Sequence, residues 1–443
     1  MANATGQAAG DIPDLARLEL LGVVGAGGGG FPTAVKLRAK VPTVIVNGAE
    51  CEPLLHKDKE LLLHHAAPML HGLRVAMALV GAREGVVGVK EKYTAVLAAL
   101  EPRLPAGVRM LPLPDSYPAG DEFVLVHDAI GRVIPPGGLP KDVGAVVLNV
   151  ETLVNIGAGL PVTHKYLTVA GEVREPVTLR VPIGMPIGEA IEAAGGPAGP
   201  NVAALLGGVM MGRLAASFDE PVTKTLGGIV VLPASHRLVA WYRAGRRQIE
   251  RAGRSACDQC RFCTELCPRY LLGHPIEPHR AMQALGFTGA RAPLVAGTLY
   301  CCECNLCSLY SCPEDLDPKN VCTFSKPAAR EANLVWKGDP ASVTPHSLAG
   351  ARRVPMRRLM ARLGLNGFEN VGPLVDREFH PRRVVLPLKQ QAGAPAVPQV
   401  RAGARVRLGQ PVAAPAPGAL GASLHASIGG VVREVGDAIV IEA

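Results

Sequence analysis

Two runs of cysteine are the residues of this chain most able to do chemistry. The first reads Cys257-x2-Cys260-x2-Cys263-x3-Cys267-Pro268, the second Cys301-x2-Cys304-x2-Cys307-x4-Cys312-Pro313. Three closely spaced thiolates wrap three corners of an iron–sulfur cubane, and a fourth cysteine placed before proline serves the other cubane. The expected ligands of one [4Fe–4S] cluster are therefore Cys257, Cys260, Cys263 and Cys312. Those of the other are Cys301, Cys304, Cys307 and Cys267. Structural zinc prefers cysteine pairs set apart by a longer gap, and two triplets each closed by Cys-Pro fit it poorly. Cys302 competes with Cys301, but leaves one residue before Cys304 where the spacing asks for two. Cys51 and Cys322 stand outside both runs and read as buried thiols. Nine of the 11 cysteines fall between Cys257 and Cys312, a crowding that in a reducing compartment means ligation rather than disulfides.

A second candidate is rich in glycine. Gly25-Ala-Gly27-Gly-Gly-Gly30 matches GxGxxG, and Glu50 closes the next apolar run, which together outline a dinucleotide fingerprint. In a chain with 51 glycines that match carries little weight by itself. Backbone N–H groups free of side chains can cradle a phosphate under either a dinucleotide or a mononucleotide reading.

Elements must position these groups. Residues 15–50 read as strand, glycine turn, helix and strand, with the first strand at 20–24. Residues 60–80 carry apolar side chains at helical spacing, and 86–89 and 146–150 read as buried strands. The expected organisation is multidomain α/β. Residues 1–162 form an α/β domain, and 163–238 a small mixed α/β module whose helix stops at Gly195-Gly196. Residues 239–335 form a helical two-cluster domain, 336–398 a linker, and 399–443 an all-β unit of short runs punctuated by glycine.

Longer words give the glycine loop a family. Gly27-Gly-Gly-Gly-Phe31-Pro-Thr33-x-x-Lys36 is followed by Val46-Asn47-Gly-Ala-Glu50-Cys-Glu52-Pro53, Tyr117-Pro-Ala-Gly120-Asp-Glu122 and Asn149-Val-Glu-Thr152. In that order they resemble the FMN-binding subunit of respiratory complex I. With Gly207-Gly-Val-Met-Met-Gly212 the chain resembles still more closely the C subunit of the Rnf complex, over residues 20–335. The resemblance implies that Gly27, Gly28 and Gly30, with Lys36, surround the flavin phosphate. It implies that Asn47, Glu50, Gly120, Asp121 and Asn149 line FMN, and that Phe31, Glu52 and Glu122 help seat NADH. It makes residues 163–235 an SLBB β-grasp module. Ala49 stands where complex I has an acidic residue, and Leu37 and Ala39 replace an aromatic pair, departures that bear on the nicotinamide site more than the flavin site. Phe31 also reads as a core aromatic beside the loop, and Lys36 as a solvated helix residue.

Domain order narrows the family. The Rnf protein is similar but carries its barrel-sandwich hybrid domain first, whereas the all-β unit here comes last. It cannot be a swinging-arm carrier, because no lysine follows Lys389. This order, with Cys267-Pro-Arg-Tyr-Leu-Leu-Gly-His274, resembles the PduS-type cobalamin reductases associated with bacterial microcompartments. That resemblance implies NADH as donor, a corrinoid as acceptor, and as partners a corrinoid adenosyltransferase and other microcompartment redox or shell proteins. Two other readings stand beside it: an electron conduit or docking subunit without catalysis of its own, and a member of an Rnf-type membrane complex.

Bulk properties exclude other classes. The net charge of +8, from 46 basic and 38 acidic residues, is spread thinly. Aromatics make up only 4%, so no basic stripe with interleaved aromatics exists to bind nucleic acid. Arginine clusters at 243–254, 352–362 and 377–383 suit docking of an acidic redox partner better. No stretch approaches the ~20 apolar residues of a membrane span, and no basic segment followed by an apolar run opens the chain. The expected location is cytoplasmic, within or beside a microcompartment.

Overall fold

The computed structural model describes residues 13–287 and 292–443.

The first domain is built on helices α1 (Leu15–Leu20) and α2 (Thr33–Lys36), strand β1 (Thr43–Gly48), helices α3 (Lys57–His64) and α4 (Ala66–Val80), β2 (Glu84–Lys90), α5 (Thr94–Leu100), β3 (Val108–Leu113), β4 (Ser116–Tyr117), α6 (Glu122–Ile130), β5 (Ala145–Asn149) and α7 (Val150–Ala158). A parallel sheet runs in the order β3-β2-β1-β5. Its strands are near-continuous apolar runs because both faces are covered. Val44, Val46, Val87, Val89 and Leu148 face α4 and α7, while Ile45, Val86, Ala145 and Val147 face α6. Asn47 and Asn149 therefore emerge together at the carboxyl ends of β1 and β5, the edge where open α/β sheets bind ligands.

The strand expected at 20–24 is not formed. Helix α1 takes residues up to Leu20, Gly22 turns the chain at φ 70°, and only Val24 makes a bridge, to Pro32. The glycine loop is thus not preceded by a strand, so the dinucleotide fingerprint lacks its structural context.

The second domain is a five-stranded sheet from β6 (His164–Gly171), β7 (Val177–Pro182), β8 (Val202–Leu206), β9 (Arg213–Leu214) and β10 (Gly228–Pro233), ordered β7-β6-β10-β8-β9. Helix α8 (Ile187–Ala193) buries Ile187, Ala190 and Ile191 on it, then stops before Gly195 and Gly196, both at positive φ. Helices α9 (Arg237–Arg243), α10 (Arg246–Ala256), α11 (Phe262–Glu265), α12 (Pro268–Leu271), α13 (Pro278–Ala284), α14 (Ala292–Val295) and α15 (Pro318–Glu331) carry or flank the cysteine runs, the second of which lies between α14 and α15.

Residues 336–398, expected as linker, hold structure that ties the domains together. Strand β11 (Val354–Pro355) pairs with β4, and α16 (Met356–Leu363) buries Met356, Leu359, Met360 and Leu363 against Tyr117, Leu205 and Leu306. Strand β12 (Arg383–Pro387) already belongs to the terminal unit. There it pairs with β18 (Ala438–Glu442), after β13 (Val397–Pro398), β14 (Arg405–Val406), β15 (Pro411–Ala414), β16 (Leu424–His425) and β17 (Gly430–Val435), in sheets ordered β12-β18-β17-β14 and β13-β15-β16. The linker expectation fails because α16 interleaves arginine with its apolar stripe, and the 354–355 and 383–387 strands are too short to alternate visibly.

Candidate functional site

A cavity of about 600 Å³ opens where the first two domains meet, within the size range of cofactor sites. The expected residues Gly27, Gly28, Asn47, Glu50, Glu52, Gly120 and Asn149 all line it, joined by Cys51, Lys57, Asp58 and the second domain's Gly207 and Thr225. The glycine loop closes on itself: the Gly25 N–H donates to the Phe31 carbonyl at 2.9 Å and the Gly30 N–H to that of Gly25 at 3.1 Å. Gly28, at φ 111°, and Gly29 face open space, so backbone alone is presented to the cavity. Gly120 leaves little room for a side chain: a Cβ there would stand 3.0 Å from the Cys51 sulphur. A bare-backbone loop beside the Asn149 amide, with Asn47 also lining the cavity, fits a phosphorylated flavin.

Beneath the loop lies a buried charge network that the sequence reasoning missed. Lys57 Nζ sits 2.5 Å from Asp58 and 3.2 Å from Glu151, and Lys165 also pairs with Glu151. Lys165 donates to the Ala26 carbonyl at 2.9 Å, and the Ala26 N–H donates to Thr152 Oγ1 at 3.0 Å, so the network clamps the loop from below. Asp58 in turn accepts from Asn149 Nδ2 at 2.8 Å. Buried ions persist where they are paired and hydrogen-bonded like this. Glu151 and Thr152 were within view, two and three residues past Asn149, but nothing in their spacing marks them. Burial, then the Asp58 carboxylate, pushes Glu50 up to about 7. Burial also pushes Glu52 up to about 7, although the N–H groups of Met210 and Met211 donate to it at 2.9 and 2.7 Å.

Five expected residues do not line the cavity. Lys36 and Glu122 are ion-paired with each other at 2.8 Å. Phe31 is 38% exposed at the loop's edge. Gly30 packs on Thr225 and on the backbone of Gln391. Asp121 caps α6, accepting from the N–H groups of Phe123 and Val124, and turns its other oxygen to Arg269 at 3.0 Å.

The cysteines surround two small voids. One is ringed by Cys257, Cys260, Cys263 and Cys312. The other is ringed by Cys267, Cys301, Cys302, Cys304 and Cys307. These groupings agree with exchange of the last cysteine between runs, and they leave Cys301 and Cys302 at the same void. Among the described residues no three side chains of the ligating type close on one point, as a single ion would require. Four thiols spaced around a void fit a cubane, which takes one thiolate on each iron. Burial pushes the Cys263 thiol up to about 12, so a thiolate there needs a cation to sustain it. Backbone and amide N–H groups already aim at sulphur, from Gln259 to Cys257 at 3.1 Å and from Leu316 to Cys312 at 3.4 Å.

The two places are joined. The Tyr117 hydroxyl donates to the Cys304 carbonyl at 2.6 Å, and Asn305 Nδ2 donates to the Met210 carbonyl at 2.7 Å, while the Met210 N–H holds Glu52. The void of Cys267, Cys301, Cys304 and Cys307 is therefore the inner one, packed against the cavity wall. The other is the outer one, where Cys260 is exposed.

Comparison with known proteins follows this division. The Nuo51 FMN-binding domain matches residues 18–158, the SLBB domain 166–214, the 4Fe-4S dicluster domain 256–317 and the RnfC barrel sandwich hybrid domain 374–443. The cobalamin reductase PduS of Salmonella typhimurium is 45% identical over 428 residues, covering 95% of this chain and 94% of that protein. The cobalamin reductase PduS of Citrobacter freundii is 43% identical over 425 residues, with the same shares. The C subunit of the Na(+)-translocating ferredoxin:NAD(+) oxidoreductase complex of Acetobacterium woodii is 36% identical over 261 residues, 56% of each chain.

Proposed function

This chain belongs to the PduS cobalamin reductase family and is an oxidoreductase built for FMN and two [4Fe–4S] clusters, and from that premise we propose that it draws electrons from NADH and delivers them to a corrinoid. When bound, FMN accepts an electron pair as hydride and releases single electrons, which iron–sulfur clusters carry. Gly27, Gly28 and Gly29 would hold the flavin phosphate on backbone N–H groups, and Asn47, Glu50, Gly120 and Asn149 would line the rest. Cys267, Cys301, Cys304 and Cys307 would hold the inner cluster, and Cys257, Cys260, Cys263 and Cys312 the outer. The observation that carries this reading is the join through Tyr117–Cys304 and Met210–Asn305, which sets the inner cysteines directly behind the flavin cavity.

The outer void opens to solvent beside Cys260, below a stripe of exposed arginines on α10 at 247, 251 and 254. These lie opposite the buried Ile249 and Gly253 and would attract an acidic partner, such as a corrinoid adenosyltransferase or another microcompartment redox protein. Among the described residues no helix is long and apolar enough to cross a membrane. We infer from the family resemblance that the protein works within or beside a bacterial microcompartment.

A second reading is favoured by Phe31 and Glu122, which stand outside the cavity although the complex I resemblance gives them a part in seating NADH. In that reading the chain relays electrons from another protein and does not oxidise NADH. Anaerobic absorbance titration with NADH, then with a Co(III) corrinoid, separates the two. Bleaching by NADH and recovery on corrinoid addition supports the reductase. A protein that dithionite reduces and NADH does not leaves the relay.

A further inference from the structure

Arg269 follows the inner ligand Cys267 by two residues and is 7% exposed. Its Nη2 donates to Asp121 at 3.0 Å, and its guanidinium lies 3.5 Å over the ring of Phe123. Its Nε and Nη1 have no nitrogen or oxygen partner among the described residues, and the guanidinium turns instead toward the Cys302 sulphur, beside Cys304. A guanidinium offers five donors, and the three on Nε and Nη1 are buried with no oxygen or nitrogen to answer them, which is costly. Asp121 cannot answer them, because one of its oxygens is committed to the first turn of α6. What the site lacks is negative charge on the side of the inner void.

We propose that Arg269 sets the reduction potential of the inner cluster, acting as a buried cation that favours the reduced state. The step concerned is the gain of one electron, with no bond made and no proton moved. A four-thiolate cubane is already negative, and reduction makes it more so, by one charge. A fixed positive charge in a low-dielectric setting stabilises the more negative state more strongly, which raises the potential. Asp121 moderates the effect from the far side of the guanidinium. Arg269 is thus a positioning residue for charge, linking the α6 terminus at the flavin side to the inner cluster. The proposal rests on Cys267, Cys301, Cys304 and Cys307 being cluster ligands, which iron and sulfide analysis checks independently.

The test is a potentiometric titration with dithionite, followed by electron paramagnetic resonance, on the full chain carrying both clusters. The outer signal is assigned with a Cys260→Ser protein. Arg269→Met should weaken the inner cluster's hold on its electron tenfold or more, about 59 mV more negative for one electron, and leave the outer cluster in place. Arg269→Lys should retain most of the wild-type potential. Asp121→Asn, which keeps an oxygen to cap α6, should move the inner potential in the positive direction. Should the methionine protein lose its iron, the sign of the Asp121→Asn shift decides. An unchanged inner midpoint in Arg269→Met, equal movement of both clusters, or a negative shift in Asp121→Asn overturns the proposal.

Discussion

Cys267 closes the first cysteine run yet lines the void of the second, and Cys312 does the reverse. Removing Cys267 should therefore abolish the same spectroscopic signal as removing Cys304, and leave the one that depends on Cys257. Electron paramagnetic resonance of the reduced Cys267→Ala and Cys304→Ala proteins, with iron analysis, checks this. Glu52 supports a pH prediction. Its folded carboxyl is raised to about 7 from an ordinary value near 4.5, so it favours folding when protonated. That contribution is complete below about pH 4.5 and is lost as pH climbs through about 7. Thermal melts of flavin-free Glu52→Gln against the parent, from pH 5.5 to 8, should show the glutamine protein gaining relative stability as pH rises. At this scale the cysteines and the lining residues Asn47, Glu50, Gly120 and Asn149 were legible, because spacing and local words encode them. Lys57, Asp58 and Lys165 were not, because their roles arise from three distant segments converging beneath one loop. Asp121 was misplaced for a similar reason: its partner Arg269 lies 148 positions away.

At the scale of elements, the site depends on two helices that approach closely. A Cβ on Gly72 of α4 would stand 2.0 Å from the Leu153 carbonyl, and one on Gly157 of α7 would stand 1.9 Å from that of Pro68. Only glycine permits this crossing, and α7 begins at Asn149, whose side chain caps it and reaches Asp58. Gly157→Ala should separate the helices at a cost of about 1–3 kcal/mol, typical of overpacking. It should also displace Asn149, so denaturant unfolding and flavin binding ought to weaken together. A protein of unchanged flavin affinity would show that α7 does not position the site. The periodicity of 60–80 gave away α4, and the apolar runs gave away β2 and β5. The pattern at 20–24 misled, since a short helix and a turn at Gly22 can share five apolar or glycine residues with a strand. The 354–363 segment stayed hidden because its anchors alternate with arginine.

At the scale of the molecule, one apolar core runs from the flavin domain into the terminal barrel. Leu18, Leu21 and Val23 share it with Val384, Leu386, Val432 and Ile441. Lys224 fastens the same junction from the second domain, donating to the Gly22 and Ser423 carbonyls, both at 2.7 Å. The Ala392 N–H donates to the Gly30 carbonyl at 3.0 Å, so the barrel's leading segment braces the glycine loop from outside. Lys224→Ala should loosen this fastening and expose the region around residues 390–400 to limited proteolysis at unchanged cluster content. A chain ending at residue 373 should lose FMN on gel filtration while its cysteines still take up iron. Retention of flavin by that truncated protein would confine the barrel to a role away from the cofactor.

The shared core also imposes an order of events during synthesis. Leu18 and its neighbours leave the ribosome early, and Ile439 and Ile441, which help to bury them, leave some 420 residues later. At bacterial elongation rates the interval is on the order of tens of seconds. For that time the first domain presents an uncovered apolar stripe and an unbraced glycine loop. Bracing of the flavin loop therefore waits until residues 384–441 have been made, long after the loop itself.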